Sequence, residues 1–128
     1  MNDRLTRLWI PPSHLGEHGS KFWTRTGRIL IDKGILSPVD RESFTALCSA
    51  YDTMVKAKIQ MDRDGLTVET SRNDVKKSPV FSVWKVAVDQ FNLLSKEFGL
   101  TPASRSKIKI EDPPEKDNGA RKFFKLER

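Results

Sequence analysis

Residues 37–62 read SPVDRESFTALCSAYDTMVKAKIQMD, and this stretch sets the fold class. Ser37 is a suitable N-cap. Pro38 suits the first helical position, where its missing N–H has no intrahelical partner to lose, and Asp40 puts a carboxylate at the positive end of the helix. Phe44, Leu47, Cys48, Tyr51, Met54, Val55 and Ile59 then recur at intervals of three and four, with Met61 at the stripe's edge. That period makes one face of a helix apolar along its length. The pattern stops near Asp62, before Asp64-Gly65. About 25 residues at 1.5 Å each span roughly 37 Å. So long a helix in a small chain is expected to project its distal half or to find a partner for it.

Working outward, a first helix is expected over about Gly19 to Lys33, with a less regular start from Ser13. Phe22, Thr26 and Ile29 fall together on it, with Trp23 and Leu30 alongside. Lys21, Arg25 and Arg28 cluster on another face. Gly34 followed by Ile35 is a left-handed stop with an apolar residue behind it. On the other side, Leu66–Thr70 alternates apolar and polar, Ser71–Asp74 supplies turn residues and Val75–Ser78 can return, which predicts a short β-hairpin. An isolated hairpin is marginal in water, so it should lean on a helix or a neighbouring subunit. Lys76 and Lys77 on it suit edge protection.

Pro79 opens a third helix that runs to about Phe98 and stops at Gly99-Leu100. Val80, Phe81, Trp84, Ala87, Val88, Phe91, Leu94 and Phe98 form its main stripe. Val86 and Leu93 form a second, separate strip, which is either a subunit contact or two scattered exposed residues. Thr101-Pro102 restarts a helix one turn later. The expectation is a mainly α protein: a three-helix core with a long helical hairpin and a small β-hairpin between the second and third helices. Residues 1–12 read as a flexible arm, 13–110 as one helical domain, and 111–128 as a linker and tail.

The chain has 128 residues, 23 basic and 17 acidic, for a net charge of +6. This length favours one domain. The surplus is uneven: +3 over residues 1–30, −1 over 31–65, +1 over 66–100 and +3 over 101–128. Basic ends around a near-neutral middle suit contact with a polyanion, or solubility alone. Apolar runs do not exceed three residues, as in Ile29-Leu30-Ile31, so no segment suits a bilayer. The N-terminus, MNDRLTRLWIPP, has no apolar h-region and reads as neither signal nor transit peptide. The lone Cys48 excludes an internal disulfide and points to a reducing compartment.

Chemistry is sparse. His14 and His18 are four apart but lack a third ligand, and Gly16 between them weakens a helix. Cys48 sits on an apolar stripe, as a small core residue does. There is no phosphate-cradling glycine loop. No enzyme, cofactor or metal is expected. Lys21, Arg25 and Arg28 are the first candidates for phosphate contact, with Arg105, Lys107 and Lys109 as a second cluster. Val86, Leu93, Met54 and Met61 are candidates for a subunit interface. Arg121, Lys122, Phe123, Phe124 and Leu126 form a candidate partner-binding tail.

Phe98-Gly-Leu-Thr-Pro-Ala-Ser-Arg105 resembles the E-F-G-L-T-P-x-S/A-R signature of phage terminase small subunits of the P-twenty-seven type. Pro12-Ser-His-Leu15 is similar to that family's opening P-x-x-L. Trp23, Leu30 and Gly34-Ile-Leu36 are similar to its W…L…G-x-L helix, Ser37-Pro-Val-Asp40 to its L-T-x-x-D, and Leu47-Cys48-x-x-Tyr51 to its L-C-x-x-Y. The resemblance covers about residues 12–108. Members often carry His-Pro where this chain has Ser78-Pro79, so a role for that His is not carried over. The resemblance implies a non-enzymatic packaging factor in the host cytoplasm. It would form a ring, bind double-stranded viral DNA at the packaging site, and recruit and regulate the large terminase subunit, which holds the ATPase and nuclease. Two other classes share the basic helix or the assembly: a small helical transcription regulator, dimeric on a palindrome, and a helical adaptor without DNA affinity.

Overall fold

The computed structural model describes residues 4–108. Helix α1 spans Glu17–Asp32. A 3-10 turn at Pro38–Asp40 leads into α2, Arg41–Asp64. Strands β1 (Thr67–Glu69) and β2 (Val75–Lys77) pair antiparallel, followed by α3 (Pro79–Glu97) and the short α4 (Pro102–Arg105). The protein is thus mainly helical, with the small hairpin between its second and third helices, as the periodicity predicts.

Local chemistry places the boundaries. At the start of the 3-10 turn, Ser37 and Asp40 form a reciprocal capping box: Asp40 Oδ2 accepts from Ser37 N–H at 2.9 Å. α1 and α3 end in the same way. Gly34 (φ 70°) and Gly99 (φ 69°) occupy the left-handed region, where a side chain would clash. The residue after each reaches back, Ile35 N to Leu30 O and Leu100 N to Ser95 O, to satisfy carbonyls the helix leaves open. The hairpin turns through Ser71–Asn73, with Asn73 left-handed at φ 62° and Asn73 N donating to Thr70 O. This is a three-residue hairpin loop with a polar residue at its bulge.

α2 and α3 lie side by side as a long helical hairpin, and α1 crosses the first half of α2. The distal half of α2 therefore finds its partner within the chain. Met61, expected at an interface between copies, is buried in the single protomer and leaves that set. Ile29, expected on the packing face of α1, is 48% exposed. Gly27 occupies the packing side instead, and Leu8 sits where a β-carbon on it would be.

The core lies at the base, where Trp23, Leu30, Leu36, Phe44, Leu47 and Cys48 are fully buried. Ring contacts run from Trp9 through Trp23 (5.9 Å) and Phe44 (4.8 Å) to Phe98 (5.8 Å). A second cluster joins Phe22, Tyr51 and Phe91. The loose arm expected for residues 1–12 is, over residues 4–12, a packed strap. Leu5 N donates to Leu36 O at 2.7 Å, Trp23 Nε1 donates to Trp9 O at 2.9 Å, and Leu5, Leu8 and Trp9 pack on the core. The strap was not legible as such because its partners are far away in sequence.

Candidate functional site

The face of α1 turned away from the core carries Lys21, Arg25 and Arg28, all exposed. With Pro11 of the strap, Ser20 and Thr24, they line an open depression of about 480 Å³. The strap is thus one wall of the basic surface. The three cations are not equivalent. Lys21 Nζ is 3.0 Å from Glu17 Oε1, and its hydrogen bond and charge hold the Glu17 carboxyl below the usual carboxylate range. The Arg25 guanidinium lies 5.7 Å from the Phe22 ring centre, which restricts it to the surface of the helix. Arg28 has no ion pair or hydrogen bond among the described residues. Arg25 and Arg28 are therefore the cations most available to an anion.

The second basic cluster is divided. Arg105 joins Lys33, Ile29, Ile35, Gly99, Leu100 and Ile108 around a pocket of about 180 Å³. Lys107 faces a different depression, with Lys96, Glu97 and Thr101. Lys109 lies outside the described residues. Lys33, which the sequence reading passed over, thus replaces Lys107 as the companion of Arg105. Because Arg25, Ile29 and Lys33 are spaced by four, they follow one line along α1. This line extends the basic face from Arg25 toward Arg105. The one signal for Lys33 was its place just before the Gly34 stop, where helices favour a cation.

On the other side of the molecule, α2 and α3 leave an open groove of about 710 Å³. Its lining includes Ala46, Ala50, Val83, Val86, Ala87 and Leu93, and no charged residue. Val86 is 56% and Leu93 65% exposed, so the second apolar strip of α3 is a bare surface in the single chain. Met54 is half-buried. The tail candidates Arg121, Lys122, Phe123, Phe124 and Leu126 lie outside the described residues.

Cys48 and Asp52 serve structure. Cys48 is fully buried, and burial pushes its thiol up to about 12, so it stays protonated and unreactive at neutral pH. Asp52 was missed in the sequence, although it stands inside the apolar stripe four residues after Cys48. It caps α1 from α2: Gly19 N donates to its Oδ1 at 2.9 Å, and Lys56 Nζ is 2.8 Å from Oδ2. Burial pushes the Asp52 carboxyl up, but the Lys56 and Gly19 hydrogen bonds and the charges of Lys56 and His18 outweigh it, leaving it below its usual value. This cross-helix cap supplies what Gly16, the N-cap residue, lacks. His14 precedes α1, so the two histidines do not share a helix face. Among the described residues no group of three His, Cys, Asp or Glu side chains is placed to hold a metal ion, and no helix is long and apolar enough to cross a membrane.

The family profile described as phage terminase, small subunit, matches residues 19–115. No curated protein and no solved structure matches the chain.

Proposed function

This chain belongs to the phage terminase small-subunit family, and from that premise we propose that it serves genome packaging as a non-catalytic ring, in the host cytoplasm, that holds viral double-stranded DNA for the large terminase subunit. The observation that carries the DNA part of this reading is the exposed basic face of α1, where Arg25 and Arg28 project beside the strap without carboxylate partners among the described residues. Guanidinium groups on a helix surface suit phosphate oxygens, which fix position without reading sequence. One protomer's few cations bind weakly. A ring repeats them around one duplex or along a wrapped one, so the contacts act together.

The apolar groove with Val86 and Leu93 supplies a surface for copies to meet, and a repeated head-to-tail contact closes a ring. Arg105 with Lys33 extends the phosphate-binding line. Lys107 and Lys109 are secondary, and Lys21 contributes less because it already has Glu17. The tail from Arg121, with Phe123, Phe124 and Leu126 between cations, is assigned to the large subunit: short aromatic anchors of this kind insert into a partner's groove.

Binding to duplex DNA, titrated with salt, tests the reading. Each lost phosphate contact should flatten the plot of log affinity against log salt by about one. Arg25→Ala/Arg28→Ala should therefore reduce the slope by about two per bound protomer, and Lys21→Ala by clearly less than one. An unchanged slope in the double variant would move the DNA site off α1.

A further inference from the structure

After α4 the chain folds back toward the end of α1. Lys107 N donates to Ser104 O, and Ile108 lies over Gly99, so close that a β-carbon on Gly99 would stand 2.8 Å from Ile108 Cδ1. Ile108 thereby helps to line the pocket of about 180 Å³, with Ile29, Ile35 and Leu100 as apolar wall and Lys33 and Arg105 as its two charged residues. Both cations are exposed, and neither forms an ion pair among the described residues. An apolar hollow beside two bare cations suits an aliphatic side chain with a carboxylate close to it. A phosphate backbone would meet the cations and leave the hollow unfilled.

We propose that this pocket takes the next segment of the same chain, Lys109-Ile-Glu-Asp-Pro-Pro-Glu115, with the Ile110 side chain in the hollow and Asp112 against Lys33 and Arg105, and that duplex DNA must displace it to reach those cations. The competition with DNA rests on the reading of Lys33 and Arg105 as phosphate contacts; the docking itself does not. Reach and charge favour this occupant. Two residues span about 7 Å at most and four about 14 Å, so Ile110 and Asp112 start beside a pocket that Ile108 already lines. The segment sets three carboxylates and one ammonium, Lys109, against two cations. Asp112 precedes a proline, which favours extended backbone. Alternation along an extended segment puts Ile110 and Asp112 on the pocket's side and Lys109 on the other. So short a tether gives an effective concentration on the order of 1 mM, which a segment of another molecule lacks. The terminal stretch from Arg121 has four cationic side chains to one carboxylate side chain, and the same pair repels it.

Isoleucine methyl NMR on the full chain, joined to duplex titration, tests both halves. In the free protein the Ile110 methyl should show NOEs to Ile29 and Ile35, and saturating duplex should abolish them. Ile110→Ser changes no charge, yet it should bind duplex about three- to tenfold tighter at fixed salt, because apparent affinity falls with the fraction of protein whose site is covered. Asp112→Asn should also tighten binding in the parent, and should gain nothing once Lys33→Ala/Arg105→Ala has removed its partners. Absence of the NOEs in the free protein would overturn the docking and leave the DNA site on α1 untouched. NOEs that persist in saturating duplex, or an Ile110→Ser variant that binds no tighter, would overturn the competition. If neither the wild type nor Ile110→Ser binds duplex, the DNA reading falls and the competition with it, while the NOEs still decide the docking.

Discussion

The two ends of the α2–α3 pair differ in what they bury. At the base, aromatic rings from the strap, α1, α2 and the residue that ends α3 form a chain whose successive centres are 4.8–5.9 Å apart, and six side chains there are fully buried. At the tip, Leu66, Val68 and Val75 remain in water, and the Lys77 ammonium over the Phe81 ring ties the hairpin to α3. The base therefore holds the protomer together, whereas the tip adds little burial to it.

Substitutions at the two ends should separate accordingly. The largest effect is expected from Phe44→Ala, which empties the centre of the aromatic chain and should cost about 3–5 kcal/mol in urea unfolding. Gly19→Ala comes next. Its β-carbon would stand 2.9 Å from the Asp52 β-carbon and 3.0 Å from the Cys48 carbonyl oxygen, so the helices must part, at about 1–3 kcal/mol.

Asp52→Ala removes the cross-helix cap and should cost about 1–2 kcal/mol at neutral pH. The sign of its pH dependence follows from the lowered carboxyl. A group held below its unfolded value of about 3.9 contributes fully above that value and loses its contribution as pH falls through the folded one. The gap between wild type and Asp52→Ala should therefore close below about pH 4. The smallest effect on protomer folding is expected at the tip, where Val68→Asp/Val75→Lys should change it by under about 0.5 kcal/mol. A tip variant as damaging to the isolated protomer as Phe44→Ala would erase the distinction between the two ends.

What the sequence made legible follows the same division between local and distant causes. The capping box at Ser37 and Asp40, the glycine stops at 34 and 99, and the hairpin turn depend on residues within a few positions of each other. Their residue types announce them. The helical periods also identified the bare strip of Val86 and Leu93 on α3.

Features that depend on the meeting of distant segments were less visible. Residues 4–12 have no period, and their order comes from Leu36 and Trp23. Met61 lies at the edge of its stripe, yet it is buried once α3 packs alongside. Asp52 interrupts an apolar stripe because its partner is the backbone of another helix. The basic site was read in part for the same reason: Lys21, Arg25 and Arg28 lie on one helix, whereas the pairing of Arg105 with Lys33 depends on how α4 folds back against the end of α1.

The central claim is that this protomer keeps apolar surface in reserve for copies of itself. Light scattering coupled to size exclusion on the wild-type chain and on Val86→Glu tests it most directly. The account predicts a wild-type mass of more than two protomers of 14.6 kDa each, falling to a single protomer in the variant with its helical spectrum intact. A wild-type mass of one protomer, or an assembly untouched by Val86→Glu, would contradict it.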